Sequence, residues 1–134
     1  MTRYAIDAPT LLHLIDQGQH PHADHQIVAP SSLRSEALGL LLDDVRAGTR
    51  TEKDALAAHE HITELKARLL GDRVSRRRAW NLAREHDWER LRDAEYLAVT
   101  KLQADALVTV DPELAAKADG IVPVASLQDL LAPG

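Results

Sequence analysis

Two short runs constrain the fold of this chain more than any other feature: Gln26 to Ala29 (QIVA) and Ala106 to Val110 (ALVTV) are apolar or β-branched at consecutive positions, not alternate ones. Strands buried on both faces read this way, and such strands belong to parallel sheets covered by helices. Arg3 to Asp7 (RYAID) is a third, more mixed candidate strand, and Ile121 to Val124 a short last one. Helical periodicity fills the intervals. Leu11, Leu12, Leu14 and Ile15 follow a proline-containing first turn, and Leu33, Ala37, Leu40, Leu41 and Val45 form one stripe of a helix capped by Ser31 or Ser32 and ended by Gly48. Thr51 caps the next, with Ala55, Ala58, Ile62, Leu65 and Leu69 facing inward and Gly71 closing it. Arg73 to His86 and Leu91 to Gln103, parted by a break near Asp87, then Pro112 to Lys117 and Ser126 to Leu131, complete the helices.

Strands alternating with helices predict an α/β fold, a short central parallel sheet of four to five strands flanked by helices on both sides. The chain has 134 residues and 45% apolar content, enough for one domain over 1–134 with one continuous core. With no Phe and only 3% aromatics, that core must be Leu, Val, Ile and Ala, and the same scarcity argues against an aromatic base-stacking platform. Cys is absent, which excludes disulfides, thiolate metal sites and a cysteine nucleophile. Any metal would be held by oxygen or imidazole. There is no run of about 18 apolar residues to span a bilayer, and the start turns acidic by Asp7, too early for a secretion signal, so a cytoplasmic protein is expected.

In open parallel sheets, ligands sit beyond the carboxyl ends of the strands. Asp7 closes RYAID, and Asp111 follows ALVTV. Taken singly, each also reads as a helix N-cap, Asp111 with Pro112 at the first helical position. Glu36 is different, because it shares the apolar stripe of Leu33, Leu40 and Leu41, where an unpaired carboxylate is expensive. Arg34 and Arg92 are its candidate ion-pair partners, but Arg34 lies two positions away and points elsewhere on the helix. Asp93 is a first-turn acid of the helix that begins near Leu91, where the dipole favours it. Together the four carboxylates suit hard divalent cations such as Mg²⁺ or Mn²⁺ and the hydrolysis of phosphodiesters. They also bear on charge: a net −5, from 16 basic and 21 acidic residues, is the wrong sign for holding nucleic acid by phosphate neutralisation alone, and two divalent cations would cancel most of it.

At these residues the sequence resembles the PIN-domain ribonucleases, in particular the toxins of VapBC toxin–antitoxin modules. The resemblance covers nearly the whole chain and is carried by YAIDAPTLL with Asp7, SLRSEALGLL with Glu36, LRDAEYLAVTKLQADALVTVDPELA with Asp93 and Asp111, and the tail IVPVASLQDLL. It implies a PIN-like fold and an endoribonuclease whose Asp7, Glu36, Asp93 and Asp111 bind Mg²⁺ or Mn²⁺ and activate water. Thr109 falls where a hydroxyl commonly accompanies the last acid. Pro112 departs from the family, which often has another polar residue there, and leaves fewer side chains for a second metal. The resemblance further implies an RNA substrate, a cognate antitoxin reaching the carboxylates through an Arg or Lys, and a homodimer.

Other residues invite a role. His20, His22 and His25 match no helical zinc spacing and read as a solvated loop. Arg73, Arg76, Arg77 and Arg78 oppose the macrodipole at a helix start, which fits contact with RNA phosphate or an acidic partner segment; a solvated face paired with Glu85 is the plainer reading. Trp80 and Trp88, about two turns apart, suggest core or dimer packing. Two alternatives compete with the ribonuclease. A phospho-accepting receiver needs paired acids after its first strand and a lysine after its last, whereas Asp7 stands alone and Val124 leads to Ala125 and Ser126. A non-catalytic RNA- or protein-binding domain of the same fold is the other.

Overall fold

A computed structural model describes residues 1–134. The elements run β1 (Thr2–Ile6), α1 (Ala8–Asp16), β2 (His25–Pro30), α2 (Leu33–Ala47), α3 (Glu52–Glu64), β3 (Arg68–Leu70), α4 (Arg73–Glu85), α5 (Leu91–Gln103), β4 (Ala106–Val108), α6 (Pro112–Ala118) and α7 (Leu127–Leu131). The four strands form one parallel sheet in the order β3-β2-β1-β4. The α/β class and the helix-flanked parallel sheet expected from the sequence are those observed.

Strand order explains where the helices go. From β1 the chain steps outward to β2 and β3, then returns across the sheet to place β4 on the other side of β1. Right-handed crossovers therefore lay α1, α2 and α3 on one face and α4 and α5 on the other. The packing agrees: α1, α2 and α3 touch one another, while α5 covers β1, β2 and β4 with α4 against it. Ala5, Ile6, Val28, Ala29 and Leu107 have no exposed surface, as strands covered on both faces require. The reversal of order falls between β1 and β4, the position in such sheets where a crevice opens at the strand ends.

Three readings change. Leu65 and Leu69 were expected to extend α3 to Gly71, but α3 ends at Glu64, and Arg68–Leu70 forms edge strand β3 beside β2. A spacing of four fits both a helix face and one side of a strand, so local pattern could not separate them. Long-range contacts do: Arg34 donates to the carbonyls of Ile62 and Leu65 at 3.3 and 2.8 Å, satisfying the end of α3 from α2. Gly71 does not close a helix. Instead it allows a close approach, since a Cβ there would stand 2.6 Å from Ser31 Oγ.

The expected strand at Ile121 to Val124 reduces to one bridge between Val124 and Leu107. Pro123 has no N–H to extend the ladder. Neither Ser31 nor Ser32 caps α2 through its side chain; Ser32 occupies the N-cap position, but its hydroxyl donates to Glu36 at 3.3 Å. No helix is long and apolar enough to cross a membrane. The core is mainly aliphatic as expected, with two buried tyrosines, Tyr4 and Tyr96, added.

Leu97 lies fully buried on α5, where that helix meets the sheet. Leu97→Ala is expected to lower unfolding free energy by about 3 kcal/mol in urea titration, while Leu42→Ala, on an exposed face of α2, should change it by less than about 0.5 kcal/mol.

Candidate active site

Pairing of β1 with β4 sets Ile6 opposite Val108, so the residues that follow, Asp7 and Thr109, leave the sheet side by side. Thr109 Oγ1 donates to Asp7 Oδ2 at 2.9 Å and accepts from the Asp111 N–H at 3.0 Å. Thr10 completes the junction: its backbone N–H, at 3.3 Å, and its hydroxyl both donate to Asp7 Oδ1, and its Oγ1 accepts from Val110 N–H at 3.0 Å. Asp7 is thus joined through the Thr109 hydroxyl to the Asp111 backbone and through the Thr10 hydroxyl to that of Val110. Both aspartates also cap helices, Asp7 for α1 and Asp111 for α6. The capping role noted for each from sequence is real, and it leaves lone pairs free on each carboxylate.

Asp7 is 1% exposed. Burial raises the pKa of its carboxyl above the ordinary aspartate value, and the threonine hydrogen bonds offset part of that rise. A buried acid at a strand end with no cationic partner has the environment expected of a functional group.

Glu36 lies on α2 as predicted, and its partner is Tyr96 of α5. The Tyr96 hydroxyl donates to Glu36 Oε2, and Ser32 Oγ donates to Oε1. Neither Arg34 nor Arg92 pairs with Glu36; Arg34 holds α3, and Arg92 Nε lies 3.6 Å from Asp93. Burial first, and then the Glu36 carboxylate, push the Tyr96 phenol far above its usual range, so it remains a donor. The charge of Asp7 adds a smaller push in the same direction. Glu95 is raised as well, by burial and then by Glu36.

Asp93, in the first turn of α5, meets Lys117 of α6 at 2.8 Å. Asp93 and Asp111 line a cleft of about 490 Å³ together with Glu113, Lys117, Arg92 and Trp88. Five acidic and three basic side chains surround this cleft, an excess that favours a cation. The Lys117 ammonium is held protonated above its usual range by Asp93, with Glu113 and Asp111 adding to the effect.

Asp93 and Asp111 thus share a cleft with Lys117, while Glu36 is bonded to Tyr96 and the buried Asp7 to Thr10 and Thr109; Thr109 links Asp7 to the Asp111 backbone. As the side chains stand, no three His, Asp or Glu residues come close enough to share one ion. The donor chemistry suits Mg²⁺ or Mn²⁺, since all the candidate ligands are hard oxygens. The nearest cationic group is protein-borne, the Lys117 ammonium. Sequence reasoning missed Tyr96, Lys117 and Thr10. For Tyr96 a signal existed: a phenol on the apolar stripe of α5 needs a buried hydrogen-bond partner.

The remaining candidates fall outside this locus. Arg76 donates to the Gly71 carbonyl, while Arg73, Arg77 and Arg78 have no carboxylate within ion-pair distance, so the expected pairing with Glu85 does not occur. Trp80 is exposed on α4, and Trp88 lies beyond its end, stacked on His86 with Lys117 5.5 Å from its ring centre; the two rings do not share a helix face. His25 opens β2, packs edge-on against Tyr4 and bonds the Ala132 carbonyl at 2.7 Å.

No family model and no curated protein matches the sequence. Solved structures do. PAE2754 from Pyrobaculum aerophilum superposes with a TM-score of 0.71 at 23% identity, over 97% of this chain and 94% of that one. VapBC-1 from nontypeable Haemophilus influenzae superposes with a TM-score of 0.57 at 11% identity, over 92% and 97%. The fold is PIN-like. Agreement over nearly the full length of each chain means that the PIN-like arrangement includes β1, β4 and the helices that carry all four acids.

Asp7 generates a stability prediction. Its folded carboxyl binds a proton more tightly than the unfolded chain does, so the folded state loses stability as pH rises through the elevated folded value. Asp7→Asn removes that charge. Without divalent ions the variant is expected to melt a few degrees higher than wild type at pH 7 and to show a flatter pH dependence above about pH 4, by calorimetry.

Proposed function

We propose that the protein is a metal-dependent endoribonuclease, the toxin of a type II toxin–antitoxin pair, hydrolysing RNA phosphodiester bonds with water activated at Asp7, Glu36, Asp93 and Asp111. The observation that carries this reading is the junction of Asp7, Thr109 and Asp111 at the order reversal between β1 and β4. It gathers carboxylates where parallel α/β sheets bind ligands, in a chain with no cysteine, P-loop or serine–histidine arrangement to support other chemistry. The full-length PIN-like fold shared with VapBC-1 supports the toxin assignment.

Asp7, Glu36, Asp93 and Asp111 would hold Mg²⁺ or Mn²⁺. When bound, such an ion supplies countercharge for phosphate oxygens and a lowered pKa for water. The residues themselves perform the rest. Thr10 and Thr109 fix both Asp7 oxygens, Tyr96 and Ser32 fix those of Glu36, and the α6 N-cap fixes Asp111, so the acids are oriented before substrate arrives. The exposed Arg73 and Arg77 and the half-buried Arg78 on α4, none of them in an ion pair, could meet RNA phosphates. A cognate antitoxin and a second copy of the chain are the protein partners in this reading, and the cytoplasm its location.

Purified protein should cleave RNA only with Mg²⁺ or Mn²⁺, and Asp7→Asn or Asp93→Asn should lower the rate at least about a hundredfold. Undiminished cleavage by either variant would overturn the reading. Replacing Arg73, Arg77 and Arg78 together with Gln should weaken RNA binding uniformly across sequences and flatten its salt dependence while leaving Mn²⁺ affinity unchanged, measured by fluorescence anisotropy and calorimetry.

A further inference from the structure

The acid cleft already holds a cation of its own. Lys117 Nζ lies 2.8 Å from Asp93 Oδ2 and 3.7 Å from Glu113 Oε1, in the cleft that Asp111 also lines. Its position follows from helix geometry. Helical side chains lean toward the N-terminus, so a lysine in the last turn of α6 runs back along the helix to the end that Asp111 caps. The ammonium thus sits against Asp93 of α5 in the cleft that Asp111 also lines, so an ion bound at Asp93 would have to displace it.

We propose that Lys117 is a built-in counter-cation of this site: its ammonium neutralises Asp93 in the metal-free protein and must leave Asp93 before a divalent ion is bound there. This rests on the metal-site reading above and deepens it. It also accounts for the lack of a ready three-carboxylate cluster, since Asp93 is engaged by Lys117 and by Arg92 at 3.6 Å. Lys117 can move without leaving the cleft. Glu113 is 76% exposed along its side chain and can follow the ammonium outward, and the Trp88 ring 5.5 Å away offers a cation–π seat. The side chain is 27% exposed, against 14% for Asp93, so the exchange opens toward solvent and needs no rearrangement of the core. Metal loading becomes a competition between two cations for one carboxylate, which weakens the apparent affinity of the site by the fraction of time Asp93 is free of Lys117.

The test is calorimetric titration of the full chain with Mn²⁺, with no substrate present. Lys117→Met, which keeps an apolar stem beside Trp88, is expected to bind Mn²⁺ about tenfold more tightly than wild type and to melt lower in the metal-free state, with Mn²⁺ restoring the difference. Lys117→Arg, which keeps the charge, should bind Mn²⁺ no more tightly than wild type. In proton–nitrogen NMR of the wild-type protein, the Lys117 ammonium resonance should shift in step with added Mg²⁺. If wild type binds Mn²⁺ and Lys117→Met binds it equally or less well, the counter-cation role is overturned while the metal site stands. If neither wild type nor Lys117→Met binds Mn²⁺, the metal-site reading falls and the role of Lys117 falls with it.

Discussion

Parallel pairing of β1 with β4 is the constraint on which the rest of the site depends. It joins the first strand of the chain to one a hundred residues later, and its register puts Ile6 opposite Val108. One step beyond that pair, both strands leave the sheet, each opening a helix with an aspartate. Because the two departures are adjacent, Thr109 and Thr10 can satisfy Asp7 and tie it to the Asp111 and Val110 backbones. A register slip by one residue would turn every side chain of β4 to the opposite face and separate these groups.

Around that junction the protein manages negative charge in two different ways. The inner pair, Asp7 and Glu36, has hydroxyl and amide donors and no cation, which keeps the carboxylates oriented but leaves Asp7 with an elevated pKa. The outer pair, Asp93 and Asp111, faces Lys117 in an open cleft. Desolvation is the reason for the difference: a lysine ammonium at the inner site would itself have to be buried, whereas at the cleft it remains partly hydrated. Hydrogen-bond donors hold the inner acids and Asp111, whereas the Lys117 charge holds Asp93.

Periodicity and turn chemistry made β1, β2, β4 and most helices legible in the sequence, because each signal lies within a few residues. QIVA and ALVTV read as buried strands, and the break at Asp87 was visible before α5. Arg68–Leu70 was not legible as β3, since its leucines continued the period of α3 and only pairing with β2 made them a strand. Ile121–Val124 erred in the other direction: it has strand composition, but Pro123 prevents the ladder from extending.

The same division holds at the site. Asp7 and Asp111 after strands, Glu36 on an apolar stripe and Asp93 at a helix start were all marked by local context, so sequence alone determined which acids to consider and in which elements they lie. Only the tertiary structure decided their partners. Glu36 meets Tyr96 across 60 positions and Asp93 meets Lys117 across 24, and no local period links such pairs. Backbone propensity and side-chain alternation are properties of neighbours along the chain, while hydrogen bonding and charge neutralisation depend on neighbours in space, and those exist only once β1 and β4 have paired.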